Sequence, residues 1–265
     1  MSTAGSNLRK IEVVTSDEMP IQADYAAPRC RATGSVRSRA ASPGDASIWM
    51  LSAELEAGST LSWDAPHGDE ALFVQHGQLS VDGRICPEGG AVVIEANARP
   101  TLTATAPTRL LHMGPRDDAP PVDGLYGPAE PAGDEVHVVG PRGRFEDLDE
   151  GRESRFFADA TCPSCRLWLL YTSRSFAFES QIHSHSQDEL IYILHGEIRL
   201  GSLRLTPGSS VFIAANQLYS FRAGEQGFGF INYRRDASEM TTRSTGAKLV
   251  EAGAVTGFTA VNDLR

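Results

Sequence analysis

Displaced against itself by 119 positions, the sequence superposes Trp49 on Trp168, Leu51 on Leu170 and Asp69-Glu70 on Asp188-Glu189 without a gap. The same offset pairs His76-Gly77 with His195-Gly196, Gly89 with Gly208, Ile94 with Ile213 and Ala96-Asn97 with Ala215-Asn216. Self-similarity at a fixed period means that one structural unit is used twice, so the fold must divide into two like halves.

Each copy reads as short strands. The first has Ile48 to Glu56, Ala71 to Gln75, Gln78 to Val81 and Ala91 to Glu95; the second has Leu167 to Thr172, Leu190 to Leu194, Glu197 to Leu200 and Ser210 to Ala214. Turn signals separate them, among them Asp82-Gly83, Gly89-Gly90, Pro207-Gly208 and the two His-Gly pairs, which are expected to close hairpins. Stretches of 3.6-residue periodicity are absent, so the expected class is all-β, with closure into barrels removing exposed sheet edges. Residues 1–44 read as an extension in which Ile11 to Val14 supplies a strand to a barrel edge or to a partner subunit. The first barrel is expected over 45–116, a Pro-, Gly- and acid-rich linker with a strand at Val136 to Val139 over 117–155, the second barrel over 156–236 and a loosely packed tail over 237–265.

The densest chemistry is in His183-Ser-His185-Ser-Gln-Asp-Glu189-Leu-Ile-Tyr-Ile-Leu-His-Gly196. Alternate residues of a strand share a face, so His183 and His185 point the same way, and a short turn returns Glu189 beside them. Two imidazoles and a carboxylate suit a hard-to-borderline cation, and core packing has no use for such a set.

This segment resembles the first motif of the cupin superfamily: His-x-His, three or four residues, Glu, six residues, Gly. Ala177 stands where the family's leading glycine would be. The second motif is weaker: Gly208 matches, while Ala214, Asn216, Tyr219 and Ala223 replace its proline, second glycine, metal-binding histidine and asparagine. The resemblance implies two tandem cupin barrels. In the second, His183, His185 and Glu189 hold one divalent metal, Fe(II) first, with Mn, Ni or Zn as alternatives. Tyr219 is then a metal ligand, a group aimed at a metal-bound water or substrate, or a wall residue, and the middle role is preferred. In the first repeat Asp64, Pro66 and Pro100 replace ligand positions and Glu70 alone survives, with His67 nearby, so that half is expected to be metal-free.

The resemblance also implies an activity: a non-haem dioxygenase or related oxidoreductase acting on a small organic substrate. The alternatives are a cupin that stores or senses a ligand without turnover, and a non-redox isomerase or lyase. A net charge of −10 would repel a phosphate backbone, so nucleic acid is not an expected partner. No segment reaches transmembrane length and the first ten residues carry no apolar signal, so a cytoplasmic location is expected. Two fused repeats can satisfy sheet pairing internally, so a monomer is expected, or a homodimer where the N-terminal segment reaches a second chain. Of the four cysteines, Cys162 and Cys165 form Cys-Pro-Ser-Cys, a redox pair or half of a zinc site in principle. No second pair or nearby histidine in the sequence completes four ligands, so two ordinary thiols at the start of a strand are the preferred reading. His76 and His195 are assigned to turn geometry.

Overall fold

The computed structural model describes residues 11–22, 24–64, 66–116, 133–143, 145–147, 151–159, 162, 164–243, 248–251 and 259–260. Every regular element among them is a strand, and every strand pairing is antiparallel. No helix among the described residues is long and apolar enough to cross a membrane. Residues 117–132 of the expected linker lie outside the described residues.

The N-terminal half has two sheets. The larger runs Val136–Val139, Ala91–Ile94, Glu70–His76, Thr108–Pro115, Ile48–Leu55, Val36–Ala40, Ile21–Gln22; the smaller runs Cys30–Thr33, Thr60–Trp63, Thr101–Ala104, Gln78–Val81, Arg84–Pro87. In the C-terminal half the large sheet runs Ile11–Val14, Ser210–Ile213, Glu189–Leu200, Arg222–Arg234, Trp168–Arg174, Arg152–Ala158, Phe145–Asp147, Thr259–Ala260. Phe178–Glu179 and Leu203–Leu205 join its sides, and His183–His185, Ser238–Thr242 and Lys248–Glu251 form a separate three-stranded sheet.

Strand alternation divides side chains between separate cores. From Glu70–His76, Ala71 and Phe73 enter a core shared by both halves, while Leu72 and Val74 enter the core of the N-terminal half. From Glu189–Leu200, Leu190 and Tyr192 enter the shared core, while Ile191 and Ile193 enter that of the C-terminal half. Being covered on both faces explains why Ala91–Ile94 and Ser210–Ile213 are buried at every position instead of alternating. Each large aliphatic or aromatic side chain withdrawn in this way contributes about 1.5–3 kcal/mol, so the shared core joins the halves firmly.

Several expectations change. Gly77 (φ 82°) and Gly196 (φ 69°) do not close hairpins: the first lies where the chain passes from one sheet to the other, and the second lies inside Glu189–Leu200 beside register shifts. A left-handed backbone there lets a strand bend sharply, and a Cβ would strike carbonyl oxygens of Pro107 and Gly227 respectively. Within the expected extension, Ile11–Val14 pairs with Ser210–Ile213 of the same chain, as Val136–Val139 pairs with Ala91–Ile94. Within the expected tail, Ser238–Thr242 pairs with His183–His185.

Candidate metal centre

The two histidines lie on the short strand His183–His185, held between Ser238–Thr242 and a bridge to Tyr219. Backbone bonds in both directions between His183 and Tyr219, at 2.9 and 3.0 Å, fix this bridge. Glu189 begins the adjacent long strand, and Asn232 and Arg234 alternate on the strand beside it, with Arg234 opposite Glu189 in register. All six side chains are buried, Glu189 at 1% exposure.

The His183 and His185 rings stand 5.1 Å apart, and the Tyr219 ring is 4.4 Å from that of His183. The Tyr219 hydroxyl donates to Glu189 Oε1 at 2.6 Å. Asn232 Nδ2 donates to Oε2 at 2.6 Å, and Arg234 gives the same oxygen two N–H bonds of 2.8 and 2.5 Å. Arg234 also lies 3.2 Å from His185 Nε2, which must accept because the guanidinium can only donate. His183 Nδ1 lies 2.7 Å from the Gln181 carbonyl, so that nitrogen donates.

Burial pushes the Glu189 carboxyl up, but Arg234 and the hydrogen bonds from Tyr219 and Asn232 more than reverse this, holding it down at about 2. The structure therefore brings together all four residues singled out in the sequence. It adds two more, Asn232 on Glu189 and Arg234 on both Glu189 and His185.

No family model and no curated protein sequence matches the chain. Solved structures do match. A protein from Pseudomonas aeruginosa named for induction by glyoxylate superposes with a TM-score of 0.58 at 17% identity, over 84% of this chain and 88% of its own. Oxalate decarboxylase from Bacillus subtilis, studied for its Mn(II) centres, superposes with a TM-score of 0.61 at 12% identity, over 90% of this chain and 79% of its own. A second structure of oxalate decarboxylase, concerned with proton-coupled electron transfer, gives 0.62 at 12% identity over the same shares of the two chains. The chain has a cupin-like fold.

Within this cupin-like frame the N-terminal half carries a different cluster around Glu70. Its Oε2 accepts from Trp63 Nε1 at 2.9 Å and lies 2.7 Å from His112 Nε2, while Tyr25 holds His112 Nδ1 at 2.7 Å. His67 is 3.4 Å from Oε1, but its two ring nitrogens face the carbonyls of Gly68 and Ala98 at 2.6 and 3.0 Å. Gly114 stands opposite Trp49 as Arg234 stands opposite Trp168. A Cβ there would meet Glu70 Cγ at 2.8 Å, so this half has no room for an arginine. His76 bonds Glu88 at 2.8 Å, and His195 bonds the Tyr171 hydroxyl at 3.2 Å.

Arg234 has no motif to announce it, although its two-residue spacing from Asn232 in an apolar strand is a usable signal, since it sets both on one face. A second group is equally hidden in the sequence. Among the described residues, the ligand-type atoms of Glu95, His137, Cys162 and Cys165 lie within 4.8 Å of one another. The histidine that the Cys-Pro-Ser-Cys motif lacks in its own neighbourhood is thus supplied from 25 residues upstream. Outside both groups, a cavity of about 510 Å³ opens beside Phe73, Arg109, Arg155, Tyr171, Tyr192 and His195.

Proposed function

We propose that the chain is a metal-dependent enzyme of two tandem cupin barrels, with one divalent cation held in the second by His183, His185 and Glu189. The observation that carries this is the burial of two imidazoles, a carboxylate and a phenol in mutual contact. Such groups cost several kcal/mol to desolvate unless something offsets it, and two nitrogens with one oxygen fit a borderline cation. Asn232 Oδ1, buried beside Glu189 with no hydrogen-bond partner among the described residues, is a further acceptor suited to a cation-bound water. When bound, the cation would supply Lewis acidity and open positions for a chelating substrate and, as Fe(II), for dioxygen.

The chain's own residues do the rest. Tyr219 orients the Glu189 carboxylate and holds a proton at its hydroxyl. Arg234 bonds Glu189 and His185 here; were a dication to take over the charge of Glu189, the two parallel N–H groups of the guanidinium would be suited to a substrate carboxylate. Phe221, Phe228 and Phe230, packed at 5.3 to 5.9 Å, form a wall that excludes water. The substrate class we assign is a small organic acid, and dioxygenase-type oxidation is the reaction class.

Metal content of protein isolated without chelator, followed by oxygen uptake and carbon dioxide release with Fe(II)- and Mn(II)-loaded enzyme on small keto and dicarboxylic acids, tests this. Oxygen uptake lost in His183→Ala and His185→Ala is the expected result. Iron-loaded protein that consumes no oxygen excludes the dioxygenase, and carbon dioxide release without uptake would select a non-redox reaction.

A second function is favoured by the Arg234–Glu189 ion pair. In it the guanidinium is the working cation and the cluster binds a small anion without turnover. Failure of Fe(II) and Mn(II) to bind, together with a carboxylate that raises the melting temperature, would decide for this alternative.

A further inference from the structure

The Glu95 cluster lies where the N-terminal sheet meets the chain entering the C-terminal half. Glu95 directly follows Ala91–Ile94, and His137 sits on the neighbouring strand Val136–Val139. Cys162 and Cys165 arrive from the segment between Arg152–Ala158 and Trp168–Arg174. His137 Nε2 is 2.9 Å from Glu95 Oε1, and Cys162 Sγ is 3.9 Å from each of these atoms. Glu95, His137 and Cys165 are buried. Ser164 and the Glu135 amide donate to the two Glu95 oxygens at 2.6 and 2.9 Å, which fixes the carboxylate in place. The Cys165 amide donates to Cys162 Sγ at 3.3 Å. In the structure the two sulfurs are joined as a disulfide.

We propose that the dithiol form of this cluster is a four-ligand zinc site, and that the Cys162–Cys165 disulfide is its metal-free state. Two thiolates, one imidazole and one carboxylate are a tetrahedral set of borderline softness, and two cysteines separated by two residues are a spacing zinc accepts. The ligands come from three segments, so a bound ion ties the N-terminal sheet to the entrance of the C-terminal half. Reduction transfers two electrons and two protons from an external dithiol, which itself becomes a disulfide. Zinc binding then displaces the two thiol protons to solvent. Oxidation by a disulfide reagent reverses the sequence, returning two electrons to the reagent and releasing the ion. The site therefore couples the redox state of one cysteine pair to the mechanical link between the halves.

Cobalt(II) is the probe. Full-length His183→Ala/His185→Ala protein, which removes the C-terminal histidines from consideration, is reduced with dithiothreitol, freed of it without air and titrated. The expected result is one equivalent of Co(II) with a thiolate-to-cobalt charge-transfer band and strong visible bands of four-coordination. Zinc should displace it, and oxidation should abolish it. Cys162→Ser/Cys165→Ser should show no charge-transfer band, and His137→Gln should weaken binding at least tenfold. Reduced and oxidised wild-type protein give the same comparison without any substitution. A reduced wild-type protein with no thiolate band, or a band that survives oxidation or loss of both cysteines, overturns the proposal.

Discussion

Asp69 and Asp188 each accept one bond from their own half and one from the other, in opposite directions across the molecule. Asp69 accepts from the Ala96 amide of its own half at 2.8 Å and from the Arg166 amide of the other at 2.5 Å. Asp188 accepts from the Ala215 amide at 2.7 Å and from the Ser47 hydroxyl across the seam. Each of these positions has its counterpart 119 residues away, so the repeated aspartate is a clamp between halves. Replacing either by Ala leaves two donors without an acceptor, at about 1–3 kcal/mol for each one buried. Urea unfolding should register about 2–5 kcal/mol for Asp69→Ala and for Asp188→Ala. A loss under about 0.5 kcal/mol in both would show that the clamp contributes nothing.

Arg234 is the only partner of Glu189 named above that carries a fixed positive charge. Arg234→Met keeps much of the volume but leaves a buried carboxylate uncompensated, which costs about 3–5 kcal/mol. If the cluster is a cation site, Mn(II) should restore the melting temperature of this variant and do little for the wild type. Equal responses from the two proteins would count against competition between guanidinium and metal.

The pH dependence follows from Glu189. Its folded-state value, about 2, lies below the ordinary 4.5, so its stabilisation is complete above about pH 4.5 and drains away as the pH falls towards about 2. A difference of that size corresponds to about 3 kcal/mol. Asp69 acts with the opposite sign: burial pushes its carboxyl up in spite of the two amide bonds, so protonation favours the fold there. The comparison that isolates Glu189 is therefore wild type against Glu189→Gln, unfolded in urea from pH 5 to pH 2. Wild type should lose its advantage over that range, and parallel curves would refute the assignment.

Tyr219→Phe keeps the ring against His183 and removes the hydroxyl bond to Glu189. A hydrogen bond to a charged group contributes about 1.5–3 kcal/mol. Denaturation midpoints should fall accordingly, while circular dichroism stays unchanged. If the hydroxyl also positions substrate, kcat should fall more than KM changes.

Much of this is readable from residues alone. The 119-residue offset relates the two halves, the strand at Val136–Val139 and most strand positions follow from alternation, motif spacing picks out His183, His185 and Glu189, and the family resemblance adds Tyr219. These features are local, or repeat at a fixed distance, and a linear reading detects both. The hairpins expected at Gly77 and Gly196 show where it stops: a left-handed glycine marks a sharp bend, but whether the chain turns back or crosses to another sheet depends on what packs behind it.

Arg234 marks the same boundary inside the cluster. An arginine near the end of a strand is ordinary in sequence, and only the register that sets it opposite Glu189 makes it that residue's counter-ion.

The amino-acid order by itself determined the strand content, the self-similarity at 119 residues and which polar residues recur at ligand spacing, because periodicity and short-range geometry act along the chain. Tertiary structure alone decided that Ile11–Val14 pairs with Ser210–Ile213 of the far half, that Arg234 bonds both Glu189 and His185, and that Glu95 and His137 meet the cysteine pair. Those are contacts between residues distant in sequence, chosen by burial and by the need of each buried polar group for a partner.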